Sequence, residues 1–195
     1  GAIDNDAAPN GGANIIGATI DLTAAVGGIG TGQILEVTAS TLLNADTTAD
    51  NGNILIDSIG GLPLGLAVAG GGDISIDSTV DITDGNVGTD NLRGDLATLT
   101  AAGGIGDGNA LETDLTSVDA TTSAAGKIEL NETDDITVAD ASSNGAAGDD
   151  VIITAAGTTT VTNINAALGD VLLNSIGGAI DNDAAPNGGA NIIGA

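Results

Sequence analysis

Apolar and polar residues alternate in short bursts along this chain, and each burst ends in a cluster of Gly, Asn or Asp. In NILIDSI from Asn53, Ile54 and Ile56 share one face while Leu55 and Asp57 share the other, as a strand with one buried side requires. Nine such segments follow one another: ATIDLTA from Ala18, ILEVTAS from Ile34, NILIDSI, DISIDST from Asp73, LATLTAA from Leu96, LTSVDAT from Leu115, KIELNET from Lys127, DVIITAA from Asp150 and DVLLNSI from Asp170. A second apolar pair comes about six residues after many of the first pairs. Leu62 and Leu64 follow Ile54 and Ile56, Val80 and Ile82 follow Ile74 and Ile76, and Ile136 and Val138 follow Ile128 and Leu130. Each unit therefore reads as two short strands and a bend. Helices are disfavoured, because Gly and β-branched residues interrupt every window of helical length. The pairs Gly27-Gly28, Gly60-Gly61, Gly103-Gly104 and Gly177-Gly178 mark the corners, where glycine permits the positive φ of a tight turn.

One identity sets the scale of the array. Residues 178–195 read GAIDNDAAPNGGANIIGA, and residues 1–18 read the same. With a period of 177 residues, nine segments give coils of roughly 20 residues, within the range of stacked solenoid repeats. The expected fold is an all-β parallel β-helix, a β-solenoid of about nine coils per 177-residue repeat, with an axial repeat of about 43 Å. Residues 1–195 are expected to be one continuous solenoid segment of a longer array, internal or processed because the first residue is Gly rather than Met. One coil cannot bury its own apolar edge, so stacking supplies the stability, nearly as a sum over neighbouring coils.

Composition sharpens this picture. Phe, Tyr, Trp, Met, Cys and His are all absent, yet 42% of residues are hydrophobic, more than a disordered chain carries. A narrow interior of stacked Ile, Leu and Val suits such a chain better than a wide globular core. No apolar run approaches the ~20 residues that span a bilayer. The 27 acidic residues face only Arg93 and Lys127, a net charge of −25. Spread over about ten coils, that is roughly one negative charge per 2 Å of axis, close to duplex DNA, so a dense cation atmosphere is expected. Nucleic acid is excluded as a partner, since phosphate neutralisation and base stacking both lack residues. Arg93 and Lys127 read as local charge partners.

Candidate chemistry is sparse. Asp4-Asn5-Asp6 with its copy Asp181-Asn182-Asp183, Asp84-Gly85-Asn86 near Asp90, and Asp107-Gly108-Asn109 near Asp114 present oxygen ligands at alternate positions, as calcium requires. The candidate Ca2+ ligands are thus Asp4, Asp6, Asp84, Asn86, Asp107, Asn109, Asp181 and Asp183; the competing reading is that these residues cap turns with their own side chains. No enzyme is expected: there is no His base, Cys nucleophile or Tyr acid, and Ser142-Ser143 have no base partner. Asp134-Asp135 and Asp149-Asp150 are adjacent in sequence rather than facing across a cleft. The GGIGTG run at 27–32 lacks the Lys and the following helix of a phosphate loop. Thr47-Thr48 and Thr158-Thr159-Thr160 hint at an ice-binding ladder, without the regular Thr-x-Thr such a surface needs.

The phrases GNILIDSIGG, LTAAVGGIGTGQ, LTAAGGIGDGNALETD and TSAAGKIELNETDDITV resemble the repeats of giant bacterial β-strand-repeat surface proteins, related in style to filamentous-haemagglutinin-like adhesins. The resemblance covers nearly the whole chain. It implies a right-handed parallel β-helix, export to the cell surface, and a structural part in a fibre, sheath or biofilm matrix with an adhesive role. A calcium-dependent adhesin stalk is the alternative, and an ice-binding solenoid a remote one. Partners would be further copies of the chain, end to end or laterally, and divalent cations; the sequence names no receptor.

Overall fold

The computed structural model describes residues 1–5, 12–183 and 190–195. Among these residues there is no helix: sixteen strands form one continuous parallel sheet system that winds round on itself. The chain is a β-solenoid, and its hydrogen bonds run from coil to coil along the axis.

Two columns of inward residues carry the stacking. One runs Ile3, Ile29, Ile54, Ile74, Ala97, Val118, Val138 and Val161, and ends against Asn182. The other runs Leu62, Ile82, Ile105, Ile128, Val151 and Val171. From Ile29 to Val138 and from Leu62 to Val151 these side chains are fully buried. Each aliphatic side chain sits between its counterparts one coil above and one below, which is worth on the order of 1.5–3 kcal/mol per residue. Alternation does the sorting: Ile54–Ser58 buries Ile54, Ile56 and Ser58 and turns Leu55 and Asp57 outward.

The first column reaches Asn182 in eight steps, so a coil averages about 22 residues and a 177-residue unit holds about eight coils, one fewer than the nine segments suggested. The nine segments do not share a column. NILIDSI, DISIDST, LATLTAA and LTSVDAT lie in the first column, whereas KIELNET, DVIITAA and DVLLNSI lie in the second, half a coil away. Counting both as coil starts inflates the number. Val80, expected to point inward with Ile82, lies in the turn after Ile74–Ser78 and is exposed, while Ile82 is buried.

The same corner is built in both columns. GGIG at 27–30 places Ile29 in the first column, and GGIG at 103–106 places Ile105 in the second. Gly30 and Gly106 both adopt left-handed φ, +68° and +67°. A Cβ on either would overlap a carbonyl oxygen of the next coil, that of Leu55 or of Glu129. Gly106→Ala is therefore expected to destabilise the chain by about 3 kcal/mol. Gly108→Ala, at φ +84° with no atom near its added Cβ, should cost only about 1 kcal/mol. Urea titrations followed by far-ultraviolet circular dichroism would measure both, since the chain has no aromatic reporter.

Candidate functional site

Acidic and amide side chains at the corners continue the backbone ladder where the strands stop. Asp81 accepts the N–H of Gly104 at 2.7 Å, Asp135 that of Thr158 at 2.6 Å, and Asp150 that of Asp170 at 3.0 Å. Asn53 likewise accepts from Asp73 N–H at 2.9 Å. In each case the acceptor belongs to one coil and the donor to the following coil. Such a bond, charge-assisted where the acceptor is Asp, satisfies a backbone donor that a sharp turn would otherwise leave to water. Asp135 and Asp150, the second members of the two adjacent acid pairs, are thereby occupied in joining coils. Asp150 also pairs with Lys127 at 2.9 Å, and this bond, with the Asp170 N–H, holds its carboxyl below the usual range. Arg93 pairs with Asp114 at 3.1 Å and Asp90 at 3.5 Å, so both cationic side chains have acidic neighbours.

The calcium candidates separate. Asp6 lies outside the described residues. Asp4 accepts the N–H of Gly32 at 2.9 Å, a bond between coils like those above. Asp181 lies in the last strand pairing, opposite Thr160, and Asp183 donates its N–H to Val161 in the same coil contact. Asp107 meets the Lys127 N–H at 3.5 Å. Two of the sequence groups do come together: Asp84 accepts from Asn86 N–H at 2.9 Å, from the Asn91 amide at 2.8 Å, and from the Asn109 amide. Asp84 is thus supplied with donors, as a turn-capping carboxylate is. Next to it, Asn86 Oδ1 and Glu112 Oε2 are buried oxygens with no hydrogen-bond partner. Burial, then the charges of Asp84 and Asp90, push the Glu112 carboxyl above its usual range.

A second acidic group was not anticipated. Oxygens of Asp114, Glu132 and Asp134 lie within 4.8 Å of one another, beside a shallow depression lined by Gly94, Leu115, Thr116 and Asp135. Its centre is Glu132, which occupies the inward phase of Ile128–Glu132 and is only 2% exposed. It stands in a column where Leu92 and Thr113 precede it and Ala155 follows. Thr113 donates its hydroxyl at 2.7 Å, and the N–H groups of Thr133 and Leu115 approach at 2.9 and 3.2 Å. Burial nevertheless raises the Glu132 carboxyl, outweighing these bonds. The signal was present in KIELNET, where Ile, Leu and Glu occur at every second residue, so a glutamate had to share the buried face.

Carboxylates also stack in register on the outer surface. Glu36, Asp57 and Asp77 occupy matching positions on successive coils. Burial, then Asp77 and Glu36, raise Asp57; burial, then Asp140, raises Asp119. Thr159 lies buried between Ile136 and Ile180, whereas Thr160 stands on the other face between Thr137 and Asp181. Among the described residues no helix is long and apolar enough to cross a membrane. No protein-family model, curated protein or solved structure matches the chain.

Proposed function

We propose that this chain is a structural rod segment of an extracellular or cell-surface filament, such as a fibre, sheath or biofilm matrix, with adhesion as its associated role. The observation that carries this reading is the pair of unbroken aliphatic columns, which make length, not a cleft, the product of the fold. The acidic exterior keeps neighbouring rods apart and concentrates cations around them. The acids at the corners are used to hold coils together, which leaves them poor candidates for catalysis. Antibodies against the folded chain, applied to intact cells that produce it, are expected to decorate thin unbranched fibres outside the cell envelope. Labelling that appears only after permeabilisation would overturn the reading.

A calcium-dependent stalk is the second reading, favoured by the orphaned oxygens Asn86 Oδ1 and Glu112 Oε2 beside Asp84 and Asp90. Bound calcium would satisfy both and relieve the repulsion on Glu112. A few millimolar calcium is then expected to give a rise in unfolding free energy of about 2–3 kcal/mol at a hundredfold excess over the dissociation constant. Asn86→Ala should abolish most of that rise. Equal responses to calcium and to a monovalent salt at matched ionic strength would reduce the effect to screening.

A further inference from the structure

We infer that the segment found at both 1–18 and 178–195 holds the place of an interior coil, and that the edge left open at Ile180–Asn182 and Ile192–Ile193 accepts the Gly27–Ala39 coil of a following repeat unit, in which this segment stands as residues 1–18, in unbroken register. The inference rests on the rod reading and specifies its joint.

The same residues are seen twice with opposite edges in use. In the first copy the edge facing the following coil is occupied. Ile3 donates its N–H to Gly28 O at 3.1 Å, Gly30 donates to Ile3 O at 2.7 Å, and Ile15 and Ile16 pair with Val37 and Thr38. In the second copy the edge facing the preceding coil is occupied. Thr159 donates to Ala179 O at 2.9 Å, Ile180 pairs with Thr159, and Ile192 pairs with Ile164. The two sets of bonds use different atoms, so one segment can make both at once.

An interior coil of the same molecule already does so. Asn91 donates its side-chain amide to Leu64 O and Gly65 O on the coil before, at 2.8 and 3.1 Å, while its Oδ1 accepts Glu112 N–H from the coil after, at 2.9 Å. Asn191 makes the first half of this pattern, donating to Thr162 O at 2.8 Å and Val161 O at 3.4 Å. Its copy Asn14 makes the second half, accepting Glu36 N–H at 3.1 Å. The backbones agree as well: Asn91 and Asn14 donate to Glu112 O and Glu36 O at 2.7 and 2.8 Å, and Ala67 and Ile164 donate to Asn91 O and Asn191 O at 2.8 and 2.7 Å. Together the two halves supply the bonds that Asn91 makes to the coils before and after it.

Glycine gives an independent argument. A Cβ on Gly178 would overlap Thr158 of the preceding coil, whereas one on Gly1 would meet nothing within 4 Å. Where the segment follows another coil, as at Gly178, glycine is thus required.

The test is a polypeptide in which residues 19–195 follow directly after the full chain, so that the middle copy of the segment lies between two units. Amide hydrogen exchange is compared with that of the single chain. The N–H groups of Ile180 and Asn191, which face the open edge, are expected to exchange at least about 100-fold more slowly in the joined chain, reaching the protection of Ile3 and Asn14. Unchanged exchange at these two amides, with both units folded by circular dichroism, would overturn the inference; so would aggregation of the joined chain while the single chain stays folded. Two rods on an open hinge would leave the surface-fibre reading standing, and absence from the cell surface would leave the joint standing.

Discussion

Replacing Ile76 by Asp is expected to break the rod in two. Ile76 is buried between Ile56 and Leu99, in a coil whose neighbours are equally closed. The substitution removes about 2–3 kcal/mol of apolar burial and adds the cost of a carboxylate with no partner, several kcal/mol more. In a stacked array the loss is local, because each coil is held by the two beside it. Strand signal from the coils around residues 54–101 should disappear while the coils beyond Leu111 persist, which hydrogen exchange would resolve. Ile76→Val, which keeps the shape and removes one methylene, should cost only about 1 kcal/mol. Equal effects of the two substitutions would mean that the column is not packed as described.

Glu132→Ala is expected to be the most damaging change at a polar position, costing about 3–4 kcal/mol. It would orphan the N–H of Leu115 and the hydroxyl of Thr113, and leave a hole in the column. The pH dependence identifies the group. Burial raises the folded-state value of Glu132, so its contribution is fully present below the ordinary glutamate range and is lost as pH rises through the raised value. Asp57, Glu112 and Asp119 are shifted the same way. Asp150 is shifted oppositely: its contribution is present at neutral pH and is lost only as pH falls through its lowered value, below the ordinary aspartate range. The native chain should therefore gain stability as pH is lowered from 7 towards 5, and Glu132→Ala should flatten that gain. Urea midpoints at the two pH values measure it; a native chain that loses stability over this interval would contradict the assignment.

Much of the fold could be read from residue order alone. Ile54, Ile56, Ile74 and Ile76 announce themselves by alternation, and Leu62 and Leu64 by their fixed distance from the first pair. The number of coils could not. The corner GGIG serves both columns, so equal sequence phrases lie half a coil apart in space, and only the pairing register separates Ile29 from Ile105. Register shifts near Leu43 and Val138 change the phase further, by steps that periodicity does not announce. The acids show a comparable limit. Asp and Asn in Gly-rich turns look alike whether they bind cations or backbone N–H groups, and what distinguishes Asp81 or Asp135 is a donor some 23 residues away in the chain. Glu132 was visible in principle, because its inward phase was fixed by Ile128 and Leu130.

X-ray diffraction from aligned fibres of the purified protein tests the central claim most directly, that aliphatic coils stack along the rod axis. A strong reflection near 4.8 Å on the meridian and an axial repeat of about 38 Å, the height of eight coils, are expected. A 4.8 Å reflection confined to the equator, or its absence from well-aligned fibres, would contradict it.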